Sequence, residues 1–382
     1  MRIGIFGGTF NPPHIGHTES AKAAARCLRL DRLIVVPAGT PPHKELAAAA
    51  PSAAVRLHMA RLAFPDDIVT DIEVTGGGPS YTVDTVKSII RDNNDCEMFL
   101  LVGTDMFFSL DKWKDSRELL SMATPAVFSR STAERKKITE FAEYLLRGYG
   151  ASTEIIDNKI IEIASSQLRE MLPKRGGAGY ISDTIYSYII KNRFYGAKPD
   201  WGWLRERAYS MLDPARLPHV EGCEKEAVRL AFRWGADVDD AREAAILHDI
   251  TKKLSPEQNL KILEEHGAAP VEIVKAEEKL FHSKTGALVA RTEFGVTDTV
   301  ADAIMWHTTG RAGMSVLEKV IYLADYIEPA RAFEGVEELR ELAYLDIDGA
   351  MKMGLEISVA DMRSRGIEPN RTTFDALNDL NR

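Results

Sequence analysis

Of the nine histidines in this 382-residue chain, six fall into two groups whose residue types and spacing suit work on phosphate; His43 sits in a separate Pro41-Pro42-His43-Lys44 string, and His58 and His266 belong to none of these. The first group opens the chain, in Gly4-Ile5-Phe6-Gly7-Gly8-Thr9-Phe10-Asn11-Pro12-Pro13-His14-Ile15-Gly16-His17. This string reads as a strand, a glycine turn and a helix start. Glycine lets backbone approach a ligand closely, and the first turn of a helix offers unpaired N–H groups and a positive dipole end to an anion. His14 and His17, three apart, lie on one side of that turn and can donate to the same polyphosphate. Gly7-Gly8 alone is a weak signal, and two histidines in a strand-turn-helix can be structural; the string as a whole favours phosphate.

The second group is His219, His248-Asp249, His282, His307 and Asp325. A single buried histidine is more often a hydrogen-bonded core residue than a ligand, but four histidines and two aspartates on separate helical segments are poorly explained one by one. His248 and Asp249 follow the apolar Ala244-Ala245-Ile246-Leu247 and are expected on the same helix, where polar groups facing a core need partners. Metal ligation satisfies both. Imidazole and carboxylate suit iron, manganese or zinc, and six candidates exceed the need of one catalytic ion with open positions, so a dinuclear site is an option.

The elements needed to hold these groups differ between the two halves. Short β-branched runs at Ile3–Phe6, Arg32–Pro37, Ile68–Val74, Met98–Val102, Thr124–Ser129 and Ser152–Ile156 alternate with helical stretches, which predicts βα units on a mainly parallel sheet. Ala47–Ala54, broken by Pro51 and Ser52, reads as a loop leading into a helix with Arg56 and Met59. From Trp201 the strand signals stop and amphipathic stretches such as Glu221–Trp234, Asp239–Lys253, Asp298–Trp306 and Ser315–Ile327 take over, predicting an all-α second half. The change falls at Phe194–Asp200, whose Gly196 and Pro199 suit a boundary, giving domains at 1–196 and 200–382.

Bulk properties agree with two globular cores of roughly 100–200 residues each. A net charge of −9 argues against a broad nucleic-acid footprint while leaving room for small anionic substrates. Three scattered cysteines form neither a disulfide framework nor a zinc ribbon, so a reducing, cytoplasmic setting is expected. No apolar run approaches the ~20 residues of a membrane span, and no membrane partner is expected. The oligomeric state is left open.

The opening string closely resembles the nucleotidyltransferase superfamily with its T/H-x-G-H signature, here His14-Ile15-Gly16-His17. Pro41-Pro42-His43-Lys44, Ser80-Tyr81-Thr82-Val83-Asp84-Thr85, Val102-Gly103-Thr104-Asp105, Trp113 and Ile163-Ala164-Ser165-Ser166-Gln167-Leu168-Arg169 narrow the resemblance to bacterial nicotinate-nucleotide adenylyltransferases. The resemblance implies a Rossmann-like domain that transfers adenylyl from ATP to nicotinate mononucleotide. It implies His14, His17, Lys44 and Arg169 on the triphosphate. Gly7, Gly8, Thr9, Phe10, Asp105, Ser165 and Ser166 would serve ATP, and Thr82 and Trp113 the nicotinate. Mg²⁺ would ride on the phosphates. Ala164 stands where the family usually has serine and Ser166 where it has threonine, so one hydroxyl near the nucleotide is lost.

The second half is similar to HD phosphohydrolases. Arg216-Leu217-Pro218-His219, Leu247–Lys252, His307-Thr308-Thr309-Gly310 and Leu323–Arg331 look like the branch that splits diadenosine tetraphosphate symmetrically. That resemblance implies His219, His248, Asp249 and Asp325 as primary ligands of a transition metal, iron first with manganese and zinc as alternatives. His282 and His307 would hold a second metal or face phosphate, and Arg216, Lys252, Thr308 and Arg331 would meet a dinucleoside polyphosphate. Rival readings are another acceptor for the first half, such as phosphopantetheine, and another nucleotide or a non-catalytic nucleotide-binding role for the second. Deamido-NAD is itself a dinucleotide, so the hydrolase pocket is expected to require a longer phosphate bridge.

Overall fold

Runs such as Leu33-Ile34-Val35-Val36 and Met98-Phe99-Leu100-Leu101 are apolar without alternation because both faces of a parallel sheet are covered. A computed structural model describes residues 1–39, 50–76, 80–93, 95–128, 134–158, 161–266 and 280–381. These form two compact units, Met1–Lys198 and Pro199–Arg382.

In the first unit, among the described residues, β1 (Arg2–Gly8), β2 (Arg32–Pro37), β3 (Ile68–Val69), β4 (Glu97–Gly103), β5 (Thr124–Phe128) and β6 (Glu154–Ile156) make one parallel sheet in the order β3-β2-β1-β4-β5-β6. The helices are α1 (Ile15–Leu28), α2 (Ala53–Ala63), α3 (Ile72–Thr75), α4 (Thr82–Asp92), α5 (Thr104–Phe107), α6 (Ser116–Met122), α7 (Arg135–Tyr149), α8 (Ser165–Met171) and α9 (Asp183–Lys191). The chain crosses from one side of β1 to the other between β3 and β4. A doubly wound sheet opens a ligand crevice at such a reversal, beyond the carboxyl ends of the strands. Gly7-Gly8 ends β1 and Gly103 ends β4, so the glycine turn faces that crevice.

The strand expected over Ile68–Val74 stops at Val69, and Ile72–Thr75 is helical. Helix places the Glu73 carboxylate where Ser80 and Thr85 both donate to it, each at 2.7 Å. It also brings the carbonyl of Glu73 so near Gly39 that a Cβ there would lie 2.0 Å from it. Local β-propensity loses to that packing.

The second unit contains, among the described residues, α10 (Trp201–Ser210), α11 (Leu217–Trp234), α12 (Val238–Leu247), α13 (Pro256–Glu265), α14 (Phe281–Phe294), α15 (Asp298–Trp306), α16 (Val316–Ile327), α17 (Val336–Leu345), α18 (Ile347–Ser364) and α19 (Arg371–Leu380). Its core is rich in alanine, with Ala227, Ala231, Ala241, Ala244, Ala287, Ala303 and Ala324 all buried, which lets backbones approach closely. The helix expected through Lys253 ends at Leu247, so His248, Asp249 and Lys252 lie in the turn after α12. No helix among the described residues is long and apolar enough to cross a membrane.

Candidate active sites

His14 is the residue before α1 and is buried, and His17 lies in its first turn with the ring centroids 3.8 Å apart. The backbone N–H of His14 donates to Nδ1 of His17 at 3.2 Å. An acceptor at Nδ1 leaves the proton of a neutral imidazole on Nε2, so His17 presents a donor rather than a lone pair. The ring of Phe10 is 1% exposed and stands edge-on to His17 at 5.3 Å. It braces His17 from the core side, which leaves only its backbone for a nucleotide.

The loop between β1 and α1 is gripped from behind. Ser165 donates its hydroxyl to the carbonyl of Pro12 at 2.9 Å, and Arg169 donates Nη1 to the carbonyl of Asn11 at 2.7 Å. The single hydroxyl proton of Ser165 is thereby committed to the loop. Ser166 is exposed at the second position of α8. Ala164 has no capping oxygen, and its N–H is taken by Gln167 Oε1 at 2.8 Å. Thr9 and Gly8 are half-buried and Gly7 exposed; Asp105 is exposed on α5, directly after the end of β4. Thr82 begins α4, and the Trp113 indole N–H donates to Ser109 at 3.1 Å while the ring packs on the sheet core. Lys44 and His43 lie outside the described residues.

In the second unit the six expected residues converge. His219 comes from the first turn of α11, His282 from the start of α14, His307 from the residue after α15 and Asp325 from the last turn of α16. Asp249 lies among the imidazoles. Its Oδ2 is 3.5 Å from His248 Nε2 and 3.8 Å from His219 Nε2, and its Oδ1 is 3.4 Å from His282 Nε2 and 3.8 Å from His307 Nε2. Asp325 Oδ1 is 3.2 Å from His219 Nε2. Nδ1 of His248 lies 2.7 Å from the carbonyl of Ala245, and Nδ1 of His307 2.6 Å from that of Ile304. Donation from Nδ1 to these carbonyls puts the free lone pair on Nε2, on the side of Asp249.

Two atoms test whether a cation fits. His248 Nε2 and Asp249 Oδ1 are buried without a hydrogen-bond partner among the described residues. Each such atom costs about 1–3 kcal/mol when left dry, a cost that a divalent ion bound to both removes. Burial, reinforced by the neighbouring His248, pushes His307 down to about 4, so its ring is neutral near pH 7 as ligation requires. Burial pushes Asp249 up, but His248, Lys252 and His307 outweigh it and hold the carboxyl well below its usual range. Asp325 is held low in the same way, against burial, by His219, His248 and Arg331. His219, Cys223, His248 and Asp325 form one compact donor set, and His248, Asp249 and His307 another. The residues suit a divalent transition metal.

Cations surround this centre. Arg216 pairs with Asp249, Arg331 with Asp325, and Lys252 Nζ lies 2.9 Å from His282 Nε2 and 3.7 Å from Asp249 Oδ1. Burial lowers the Lys252 pKa against the pull of Asp249. Thr308 donates to Ser283 at 3.4 Å.

Known proteins match both units. A cytidylyltransferase-like family model matches residues 5–171 and an HD domain model residues 216–330. A Clostridium acetobutylicum protein described as a probable nicotinate-nucleotide adenylyltransferase is 36% identical over 195 residues, 50% of this chain and 97% of the relative. The symmetrical bis(5′-nucleosyl)-tetraphosphatase of Bacillus subtilis is 44% identical over 141 residues, 37% of this chain and 75% of the relative. The chain belongs to both families, one in each half. A solved structure from C. acetobutylicum, described as a predicted HD superfamily hydrolase involved in NAD metabolism, is 33% identical with a TM-score of 0.45, covering 48% of this chain and 98% of that one.

Three residues that sequence reasoning missed hold these sites in shape. In the adenylyltransferase half, Arg56 is 1% exposed and donates to the carbonyls of Thr9, Ala38 and Gly39 at 3.0, 2.6 and 2.7 Å. It ties the loop after β1 to the end of β2. Tyr195 donates to Asn11 Oδ1 at 2.7 Å across 184 residues of sequence. In the tetraphosphatase half, Glu328 accepts from His219 Nδ1 at 3.1 Å. Glu328 lay inside a recognised string without a role, whereas Arg56 and Tyr195 carried no local signal. Cys223, one turn beyond His219 with Sγ 3.6 Å from Nε2, also borders the centre.

Proposed function

We propose that this chain is a bifunctional nucleotide enzyme. Its first half transfers the adenylyl group of ATP to nicotinate mononucleotide, giving deamido-NAD and pyrophosphate. Its second half hydrolyses diadenosine tetraphosphate to two ADP. The first reading is supported by the histidine pair and glycine turn at the reversal point of the sheet, the second by the Asp249 carboxylate set among four imidazoles.

In adenylyl transfer, an oxygen of the mononucleotide's 5′-phosphate bonds to the α-phosphorus of ATP as the bond to the bridging oxygen breaks, and the electron pair leaves with pyrophosphate. The attacking phosphate is already anionic, so no general base is needed and the protein acts through positioning and charge neutralisation. Nε2–H of His17, together with His14, Lys44 and Arg169, would receive the growing charge on the leaving group. Gly7, Gly8, Thr9, the Phe10 backbone and Asp105 border the same crevice and would meet ATP, with Ser165 and Ser166 at the start of α8. Thr82 and Trp113 would flank nicotinate. Mg²⁺ would arrive on the triphosphate.

In hydrolysis, the oxygen of a water bonds to one central phosphorus and the central bridging P–O bond breaks, each half leaving as ADP. His219, His248, Asp249 and Asp325 would hold the metal, which supplies Lewis acidity and lowers the pKa of water; iron is the first choice. His282 and His307 would hold a second ion or face the bridge. Arg216, Lys252 and Arg331 would neutralise the departing phosphate, and Thr308 would line its path. Product analysis on the full chain tests both readings, with ATP plus nicotinate mononucleotide in one assay and diadenosine tetraphosphate with Fe²⁺ or Mn²⁺ in the other. Pyrophosphate formation with phosphopantetheine instead, or no ADP release, would refute the respective half.

A further inference from the structure

The loop from Thr9 to His14 has an electrostatic difficulty that its own sequence creates. Pro12 and Pro13 carry no N–H, so between Asn11 and His14 the backbone can offer a polyphosphate only carbonyl oxygens. Facing an anion, those dipoles repel it. The structure turns them away: the carbonyls of Thr9, Asn11 and Pro12 accept from Arg56, Arg169 and Ser165. Because the C=O and N–H of a trans peptide point in opposite directions, the bond from Arg56 to Thr9 also aims the N–H of Phe10 the other way.

Asn11 is the hinge of this arrangement. It is 6% exposed, its main-chain oxygen is held by Arg169, and its side-chain Oδ1 is held at 2.7 Å by the Tyr195 hydroxyl. Tyr195 makes that bond from an unfavourable backbone, with φ 62° and ψ 16°, a left-handed conformation in which an L side chain is strained. Strain of this kind persists where the surroundings demand it. We propose that Tyr195 is a positioning residue for adenylyl transfer, acting through Asn11 on the loop that receives the polyphosphate. This rests on the adenylyltransferase reading and extends it to a segment, Phe194–Gly196, near the C-terminal end of the first unit. The phenol suits the task because burial, opposed by Arg169 and Arg56, pushes its pKa well above the ordinary tyrosine value, so it remains a donor.

The test is steady-state kinetics on the full chain, with diadenosine tetraphosphate hydrolysis by the same preparation as an internal control. Tyr195→Phe removes only the hydroxyl and should lower kcat for deamido-NAD formation about five- to tenfold, the worth of one buried hydrogen bond. The KM for nicotinate mononucleotide and the release of ADP should not change. Asn11→Ala removes the acceptor and should also lower kcat, and the double variant should be no slower than Asn11→Ala alone, because both act through one bond. Asn11→Ala carries the prediction if Tyr195→Phe folds poorly. Wild-type kcat in Tyr195→Phe, a lowered melting temperature with kcat intact, or losses that multiply in the double variant would overturn the proposal while leaving the activity reading in place. A wild-type chain that forms no deamido-NAD would overturn the activity reading, and this proposal with it.

Discussion

Glu328 holds His219 from outside the candidate metal centre: its Oε1 lies 3.1 Å from His219 Nδ1, and its Oε2 accepts the backbone N–H of Ala330 at 2.7 Å. Residue 222 has to be glycine for this, since a Cβ there would come within 2.7 Å of Glu328 Oε2. A carboxylate on the far nitrogen of a ligating imidazole fixes the ring and raises its basicity. Glu328→Ala should therefore weaken metal binding about ten- to a hundredfold. Glu328→Gln, which keeps an acceptor but not the charge, should lose less. Competition against a chromophoric chelator measures both, and unchanged affinity in Glu328→Ala would remove Glu328 from the account.

The two chemistries should separate on metal removal. Dialysis against a strong chelator, followed by Mg²⁺ alone, should abolish release of ADP from diadenosine tetraphosphate while deamido-NAD synthesis returns. Asp249→Asn should have the same phenotype without a chelator, because it takes the negative charge from the centre of four imidazoles and leaves Arg216 and Lys252 without their anion. Residual hydrolysis within tenfold of wild type in either experiment would contradict a metal centre at Asp249.

Arg56→Met should destabilise the first unit. It leaves the carbonyls of Thr9, Ala38 and Gly39 without their donor, at about 1 kcal/mol each and so about 3 kcal/mol together. Thermal unfolding of the full chain should show the loss, with a parallel fall in deamido-NAD synthesis and unaltered hydrolysis. A melting profile identical to wild type would show that these bonds contribute nothing.

These residues mark the limit of what the sequence makes legible. His14, His17 and the group around Asp249 could be found because their types are chemically specific and they sit in short dense strings. Arg56, Tyr195 and Glu328 do their work on a backbone carbonyl, an amide and a ring nitrogen 17, 184 and 109 residues away, and ordinary side chains give no sign of such distant partners. The sheet was legible from its apolar runs, yet Ile72-Glu73-Val74 imitated a strand until the Glu73 carboxylate found Ser80 and Thr85. His248 and Asp249 seemed to continue α12 because the apolar run before them is helical. The helix ends at Leu247, and the turn that follows carries both residues into the centre.

Tyr195 gives a prediction in pH. Burial raises its folded pKa well above the ordinary value of 10. Above pH 10 the unfolded chain loses this proton and the folded chain keeps it, so stability is fully present below pH 10 and falls as pH rises from there toward the raised folded value. Tyr195→Phe should lack that component in alkaline denaturation. The difference in 295 nm absorbance between wild type and variant should show no ionisation near pH 10. A difference step centred at pH 10 would mean that the hydroxyl is not buried on Asn11.

The central claim, two separate nucleotide chemistries on one chain, is tested most directly by product analysis of the wild-type protein in a single mixture of ATP, nicotinate mononucleotide, diadenosine tetraphosphate, Mg²⁺ and Fe²⁺. Deamido-NAD and pyrophosphate should accumulate while the tetraphosphate disappears as ADP, two per molecule, with deamido-NAD itself left intact. Loss of the tetraphosphate as ATP and AMP, its survival, or failure of deamido-NAD to form would contradict the account.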